Sequence, residues 1–262
     1  MSRRSKHHEA HKPTDGATTA SDHAQEHPFT HRVALPPEKF FRWRGGEITR
    51  LEAFCDVVFG FALTLLVVSL EVPHSYSELI ADMRGFVPFA ICFSQLVMIW
   101  LTHYKFSRRY GLEDSYTVFL NMVLLFLVLL YVYPLKFVFT LVFSQLTGAV
   151  AGSDLTLHQA SVMMEIYAIG FASVFLLFTL MYLHAYRLRD TLELTAIEAL
   201  ETQASMQSCA ILSLIGFISL MTAVRRPEWA GWLFLLIGPA LTIHGMIAGR
   251  RTRLLTEKAG MS

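Results

Sequence analysis

Two carboxylic acids stand near the start of the hydrophobic part of this chain, in an otherwise apolar stretch. Glu52 and Asp56 are four positions apart, and His103 lies at the end of a second apolar run. A charged side chain inside a membrane helix is costly unless it pairs with a partner or faces water. Two kinds of chemistry suit these residues. They can form a hydrogen-bonded network that fixes helices against one another, or a relay in which Glu52, Asp56 and His103 take up and release protons.

The composition predicts that these residues belong to a membrane protein. Of the 262 residues, 53% are hydrophobic and only 16% are charged, whereas about 25% of residues are charged in an average soluble domain. Five stretches without Asp, Glu, Lys or Arg have the length of about 20 residues with which a helix crosses the hydrocarbon core. They lie between Arg84 and Lys105, Asp114 and Lys136, Glu165 and Arg187, Glu201 and Arg225, and Glu228 and Arg250. A run from Arg50 to about Pro73 makes a sixth, so we predict an all-α, polytopic membrane protein with six transmembrane helices.

The polar segments predict the domain organisation and the orientation. Residues 1–40 are rich in histidine and lack apolar periodicity, so we expect a disordered cytoplasmic tail, followed by a six-helix transmembrane domain over 41–250 and a short basic cytoplasmic tail over 251–262. Near the span ends, thirteen Lys and Arg residues fall on the side of the N-terminus and four on the other side. We therefore expect both termini in the cytoplasm, and the lipid bilayer of the cytoplasmic (inner) membrane as a partner.

Charge and motifs argue against several classes of function. A net charge of +1 disfavours nucleic-acid binding. Cys55, Cys92 and Cys209 have no C-x-x-C spacing and the histidines of the tail have no regular ligand spacing, so we expect no metal site and no cofactor. Asp56 and His103 are residue types found in catalytic sites, but no H-E-x-x-H or G-x-S-x-G motif accompanies them. We therefore do not expect an enzyme.

Helical periodicity divides the first span into two faces. At about 100° per residue, one stripe is apolar and Glu52 and Asp56 project from nearly the opposite side. The stripe consists of Phe54, Val57, Phe61, Leu65, Val68 and Val72, with Thr64 at its edge. If the acids pack against neighbouring helices of the same chain, the stripe must face lipid, another helix or a symmetry axis.

The first span also resembles a known family. The run RLEAFCDVVFGFALTLL, from Arg50 to Leu66, is similar to the first-helix signature of the transmembrane protein 175 family of potassium channels. That signature is an arginine, three further residues, then Phe-Ser-Asp, followed by an apolar helix with Thr-Leu-Leu. Phe54, Cys55 and Asp56 occupy the triplet here.

Further matches follow in the same order along the chain. The second span ends in WLTHYKF, which is similar to the family segment Trp-x-x-His-x-x-Phe and places Trp100 and His103 at its fixed positions. The third span begins with Leu120 and Asn121, and the resemblance extends over residues 47–250. It implies that Asp56 organises the helices, held by hydrogen bonds from Trp100, His103 and Asn121. With Arg50, Phe54 and Cys55, these residues form the motif and helix-packing network.

The resemblance implies a passive cation channel that selects potassium over sodium, strongly or weakly, with potassium as the permeating ion. Prokaryotic members of the family look like homotetramers of six-helix subunits whose first helices line a central pore, so the expected protein partner is the chain itself. Carried over by the motif, the pore constriction falls on Phe61, Leu65 and Val68 and the pore edge on Thr64.

Three positions depart from the family pattern. Cys55 stands in place of serine, and a thiol is a weak hydrogen-bond donor, so the network around Asp56 is expected to be looser. Phe61 stands in place of isoleucine, and a planar ring is bulkier at a fourfold constriction and can offer its faces to a cation. Gly60 adds backbone freedom beside it.

A proton- or cation-coupled secondary transporter that uses Glu52, Asp56 and His103 is the alternative function. Its disadvantage is that the spans lack paired Gly and Pro interruptions at corresponding positions of two halves, which are common in transporters with broken helices.

Overall fold

Seven α-helices and one 3-10 helix make up the described part of the chain. The structure is a computed structural model that describes residues 41–46, 48–68, 75–147 and 157–258, and no β-strand occurs in these ranges. The helices are α1 (Arg50–Val68), α2 (Tyr76–Tyr110), α3 (Ser115–Thr147), α4 (Leu157–Arg187), α5 (Ala196–Arg225), α6 (Pro227–Ala230), the 3-10 helix Gly231–Leu236 and α7 (Ile237–Lys258). The predicted tail 1–40 and residues 259–262 of the second predicted tail lie outside the described residues.

Six segments of this part are long and apolar enough to cross a membrane, which confirms the prediction of an all-α, six-span membrane protein. They are Arg50–Val68, Phe86–Tyr110, Ser115–Thr140, Ser161–Arg187, Ala196–Arg225 and Gly231–Thr256. The sixth span joins the 3-10 helix to α7. Because α7 continues to Lys258, the predicted tail 251–262 begins in helical conformation.

The contact between α4 and α5 is the most extensive in the described part. A glycine on α5 makes this contact close, since a Cβ at Gly216 would lie 3.0 Å from both the Cβ and the backbone nitrogen of Ala172 on α4. On the other side of α4, the fully buried side chains of Leu124 and Leu135 on α3 and Phe178 on α4 belong to one hydrophobic core. The other spans therefore pack against α3, α4 and α5.

One face of α1 packs against α2 and α3. Cys55, Phe59, Ala62 and Leu66 recur every three or four residues and are all buried, as expected for a helix with one side on a core. By contrast, no residue in the most apolar window of the sixth span is buried. That span, which packs along α5 through α7, is therefore the most exposed of the six.

The segment before α1 is bound to the start of α5. Arg44 donates a hydrogen bond from Nη2 to the carboxylate of Glu198 over 2.8 Å and another from Nε to the carbonyl oxygen of Leu192 over 2.7 Å. Glu198 also caps α5, because it accepts the backbone N–H of Thr195 while the hydroxyl of Thr195 accepts the N–H of Glu198. We call the pair of Arg44 and Glu198 the Arg44 clasp.

The same segment is bound to the end of α2. The backbone N–H of Gly45 donates to the carbonyl oxygen of Arg108 over 3.1 Å. A Cβ at Gly45 would lie 2.9 Å from the carbonyl oxygen of Ser107, so this close approach of two backbones requires glycine. Together with the Arg44 clasp, this contact fixes where the chain enters α1.

Asp114 begins α3 and joins it to the end of α4. Its carboxylate accepts hydrogen bonds from the backbone N–H groups of Tyr116 and Thr117, and Nε2 of His184 lies 3.0 Å from it. Partial burial acts to raise the pKa of Asp114, but hydrogen bonds from Thr117 and His184 outweigh it and hold this pKa below its usual value. The folded protein therefore favours the ionised carboxylate.

Removal of the carboxylate from the Arg44 clasp is expected to destabilise the protein. In Glu198→Ala the largely buried guanidinium of Arg44 loses its ion pair, and the backbone N–H of Thr195 loses its carboxylate acceptor. Breaking a buried ion pair costs about 3 to 5 kcal/mol. We expect a clear fall of the melting temperature in nanodiscs, measured by tryptophan fluorescence. Arg189→Ala is the control, because the pair of Arg189 and Asp190 is exposed to solvent and such pairs contribute less than about 1 kcal/mol. Equal melting temperatures for the two variants would contradict a stabilising clasp.

The cap on α3 makes part of the stability sensitive to acid. Because the pKa of Asp114 is lower in the folded state than the usual value of about 3.9, its contribution is complete at neutral pH and is lost as the pH falls through the folded-state pKa. Asp114→Asn should lower the stability at pH 7 by no more than about 1 kcal/mol, since the carboxylate is partly exposed. Thermal unfolding of both proteins at decreasing pH should show the two midpoints converging below about pH 4. A constant difference would show that the charge of Asp114 contributes nothing.

Candidate pore-lining face and its polar network

The exposed side of α1 is apolar over most of its length. Val57, Phe61 and Val68 have 69%, 60% and 73% of their surface exposed in the single chain, whereas Glu52 on the other side has 5% exposed. We call the exposed residues of this helix from Ala53 onward the α1 face. They are Ala53, Phe54, Val57, Gly60, Phe61, Thr64, Val67 and Val68. The acids and the apolar stripe therefore lie on different sides of α1.

The α1 face is rotated about the helix axis by a fraction of a turn relative to the predicted stripe. Thr64, expected at the edge, is exposed, whereas Leu65 is half-buried and packs against the hydrophobic core. Thr64 follows Val57 by seven residues, close to two full turns, so the two share a direction, and Leu65 is turned from them toward the core. The α1 face is thus centred near Val57 and Thr64, with Phe61 beside that line.

Small residues interrupt the apolar side chains of the α1 face. Apart from its chain neighbours and the backbone of α1, no atom of the single chain lies within 4 Å of the place that a Cβ of Gly60 would occupy. The hydroxyl of Thr64 donates to the carbonyl oxygen of Gly60 over 2.9 Å. Because the proton of Thr64 is used within the helix, its oxygen remains available as an acceptor on the exposed side.

Glu52 has a basic partner inside the protomer. Its carboxylate lies 3.6 Å from Nε of Arg108 on α2, and both side chains are buried. Its backbone N–H donates to the hydroxyl of Thr49 over 3.1 Å, and Arg108 donates from Nη1 to the carbonyl oxygens of Gly45 and Gly46. The first acid of the span therefore has a compensating charge beside it, which a buried carboxylate requires.

Asp56 accepts a hydrogen bond from the second span. The indole Nε1–H of Trp100 donates to Oδ1 of Asp56 over 2.8 Å. The ring of Trp100 packs on that of Tyr104 with 5.7 Å between centroids, and Tyr104 packs edge-on against Trp43 before α1. This group of contacts ties the half-buried Asp56 and the entry of α1 to the same part of α2.

His103 and Asn121 bond to each other, which corrects the expectation that both bond to Asp56. Nε2 of His103 lies 2.7 Å from Oδ1 of Asn121, and Nδ2 of Asn121 donates to the carbonyl oxygen of Thr117 over 2.9 Å. The ring of Phe59, 5.6 Å from that of His103 between centroids, occupies the side of α1 that faces the histidine. The network therefore has two branches, one from Asp56 to α2 and one from His103 to α3.

The other three motif residues lie in different surroundings. Arg50 is exposed at the start of α1, Phe54 belongs to the α1 face, and Cys55 is fully buried in the hydrophobic core. Among the motif positions on α1, Asp56 is the one whose side chain forms a hydrogen bond to another helix in the described residues.

Sequence reasoning misses the residues that hold Glu52. From the sequence, Arg108 is only one of the basic residues that predict the orientation in the membrane, and Thr49 is not predicted to have a role. The usable signal is that a buried acid near the end of one span needs a base near the same end of a neighbouring span, and Arg108 is such a base.

The network suits helix packing better than metal chemistry. No group of three or more His, Cys, Asp or Glu side chains in the described ranges is arranged to hold a metal ion. Glu52 and Asp56 each have a partner on α2, so their contacts hold helices together and leave the α1 face without a polar group except Thr64.

A family model and known sequences match this chain. The model of the endosomal/lysosomal potassium channel TMEM175 matches residues 50–131, which contain Asp56, Trp100, His103 and Asn121. A potassium channel of Marivirga tractuosa is 36% identical over 242 residues, which is 86% of this chain and 96% of the relative. A potassium channel of Chamaesiphon minutus is 26% identical over 147 residues, covering 53% of this chain and 66% of the relative.

Solved structures match the fold. A single-substitution variant of the potassium channel MtTMEM175, crystallised with a nanobody fusion protein, has a TM-score of 0.70 at 33% identity and covers 83% of this chain and 100% of its own. A TMEM175 homologue from Chamaesiphon minutus has a TM-score of 0.51 at 20% identity, covers 78% of this chain and 96% of its own, and shares the fold. Because a relative 36% identical over nearly its whole length is a potassium channel, and the family model matches the helices that carry the network, this chain belongs to the TMEM175 family of potassium channels and to no class of enzyme.

Proposed function

We propose that this protein is a passive potassium-selective channel, in which α1 from each of four copies lines a central pore. The observation that carries the proposal is the division of α1 into two sides. The acids bond within the protomer, while the α1 face is exposed along the length of the helix. A helix held by one side offers its other side to whatever surrounds the protomer.

Small residues favour other copies of the chain over lipid as the neighbour of the α1 face. Exposed apolar side chains on α3 and α5 are as expected for contact with lipid. The α1 face differs from the exposed sides of α3 and α5 in containing a glycine, Gly60, together with Ala53 and Thr64. Such residues let membrane helices approach closely, since packing and hydrogen bonds rather than hydrophobicity drive their association. Four copies gathered about an axis also agree with the family resemblance of the first span.

The proposed constriction is apolar and is formed by Phe61, followed by Leu65 and Val68. A narrow apolar ring excludes water, so a cation passes only where its hydration shell is partly removed, and potassium gives up its shell more readily than sodium. Without a ring of carbonyl oxygens this discrimination is weak. Thr64, whose oxygen is an acceptor, lies at the edge of the ring, where it can contact a partly dehydrated ion. Because Leu65 is half-buried, its proposed contribution to the constriction is smaller than that of Phe61.

The proposed location is the cytoplasmic membrane with both termini in the cytoplasm. Arg44, Arg108 and Arg109 lie at the end of the bundle where α2 ends and α5 begins. By alternation of the spans, α4 and α7 end on this side too, with Arg187 and the arginines at 250, 251 and 253. Because this side carries the excess of basic residues, it is assigned to the cytoplasm.

Truncation of Phe61 should widen the pore. In Phe61→Ala the ring that narrows the axis is removed, so we expect a several-fold increase of potassium flux from liposomes and a smaller ratio of potassium to sodium flux. The measurement uses purified protein in liposomes with a potassium or sodium gradient and a fluorescent readout.

Phe126→Ala is the matched control for this experiment. Phe126 on α3 is 65% exposed, much like Phe61, but does not belong to the α1 face. Its truncation should leave flux and selectivity unchanged. If Phe61→Ala behaves like Phe126→Ala for both ions, Phe61 is not at the constriction.

Two substitutions of Asp56 separate a packing role from a proton relay. Asp56→Asn keeps an oxygen that can accept from Trp100 Nε1–H but loses the titrating group, whereas Asp56→Leu loses the bond. For a channel with Asp56 as a helix-positioning residue, Asp56→Asn should assemble and conduct nearly as the wild type, and Asp56→Leu should give a reduced yield of tetramer. Native mass spectrometry measures the assembly and the liposome assay the flux.

The transporter alternative predicts the opposite result for Asp56→Asn. Complete assembly with abolished flux in Asp56→Asn would identify Asp56 as a proton carrier and would support coupled transport through Glu52, Asp56 and His103. Trp100→Phe is a second check, because it removes the same hydrogen bond from the other side and should reproduce the loss of tetramer seen in Asp56→Leu.

A further inference from the structure

Two buried nitrogen atoms of the polar network have no hydrogen-bond partner in the described part of the chain. They are Nδ1 of His103 and Nε of Arg108. His103 is only 1% exposed, so solvent at the protein surface does not satisfy its Nδ1. A buried polar atom without a partner costs free energy, and native proteins satisfy nearly all such atoms with a protein group or an ordered water.

The contacts of Asn121 determine which ring nitrogen of His103 carries the proton. Nδ2 of Asn121 donates to the carbonyl oxygen of Thr117, so Oδ1 is the atom that faces the histidine, at 2.7 Å from Nε2. An amide oxygen only accepts, and Nε2 must therefore be the protonated nitrogen. In the neutral ring Nδ1 is then a bare acceptor, and its partner must be a donor.

A small cavity with both polar and apolar lining residues lies beside the histidine, between α1, α2 and α3. It has a volume of about 20 Å³, and Thr49, Glu52, His103, Thr117 and Asn121 are among its lining residues. A water molecule requires roughly 10 to 15 Å³ of such space and two to four polar partners. The cavity is therefore large enough for one water and too small for an organic ligand.

We propose that this cavity is a binding site for one ordered water molecule that joins His103 to Glu52. The water donates one hydrogen to Nδ1 of His103 and the other to the carboxylate of Glu52. It accepts a hydrogen from Thr49, whose hydroxyl oxygen already accepts the N–H of Glu52 and whose own proton remains to be donated. The water adds a hydrogen-bonded link from α1 to the branch of the network on α2 and α3, where the described direct contact is the packing of the Phe59 ring against that of His103. This inference does not depend on where the pore lies.

The charges around the cavity favour water over a cation. Glu52 already has the guanidinium of Arg108 beside it, which would repel a second positive charge. Glu113 also lines the cavity, but no three His, Cys, Asp or Glu side chains of the described residues are arranged to hold a metal ion. Protonation of His103 would add a positive charge to the same buried surroundings, at a cost that a neutral ring bonded to water avoids. A neutral donor is therefore the occupant that satisfies Nδ1 without a new buried charge.

Solid-state NMR of the complete protein in lipid bilayers tests the site. With histidine labelled by nitrogen-15, the His103 signals are those absent from His103→Gln and still present in the control His184→Gln. We expect the proton on Nε2, an unprotonated Nδ1, and magnetisation transfer from water protons to Nδ1. A proton on Nδ1, or no transfer from water, would overturn the proposal.

A density map at a resolution that shows ordered water gives an independent result and needs no variant. We expect a peak at hydrogen-bond distance, about 2.7 to 3.2 Å, from Nδ1 of His103. The peak should be the same in potassium and rubidium salts, and it should persist in Glu52→Gln, because the amide oxygen still accepts. A peak with rubidium anomalous signal that disappears in Glu52→Gln would identify a cation instead, and absence of any peak in the wild type would equally reject the water.

Discussion

A carboxylate in a membrane-spanning helix needs a partner or contact with water, and the partners that Glu52 and Asp56 have within the protein place α1. Glu52 and Asp56 are one turn apart and find Arg108 and Trp100 on the same neighbouring helix. The order of the partners along α2 is reversed relative to that of the acids, as two antiparallel helices require. Two polar contacts at different heights fix both the rotation and the depth of α1 against α2. Because rotation about the helix axis is fixed, the residues on the other side of α1 necessarily face outward.

The hydrophobic core and the segment before α1 reinforce this placement. Cys55, Phe59 and Ala62 bury the same side of the helix that carries Glu52, so apolar packing and polar pairing favour one rotation. The Arg44 clasp then ties the chain just before α1 to the start of α5. A helix held at its entry, by its acids and by its core side has little freedom to turn. In a bilayer, lipid solvates apolar residues as well as protein does, so apolar burial alone does not hold helices together. A helix with fixed rotation and small residues on its outer side can instead pack closely against another helix.

The spans were predictable from the sequence because charges are costly in the hydrocarbon core and therefore mark its limits. The division of α1 into two sides was predictable for a related reason, since Glu52 and Asp56 had to face protein. The centre of the exposed side could not be predicted, because a periodicity of about 100° per residue leaves the rotation of a helix about its axis uncertain by one position. In the structure Leu65 faces inward and Thr64 outward. The partners of His103 and Arg44 could not be predicted either, because Asn121 and Glu198 contact them only through tertiary packing.

Phenylalanine at the proposed constriction changes how such a pore opens. Phe61 lies beside the centre of the α1 face rather than on it, and 60% of its surface is exposed in the single chain. Its ring can therefore move aside by rotation about side-chain torsions, while the acids on the other side keep the helix in place. Exposed side chains change rotamer in picoseconds to nanoseconds, whereas helices shift in microseconds to milliseconds. In the proposed pore, the passage of an ion would therefore depend on the fast turning of the Phe61 rings, while the polar network holds α1 in place.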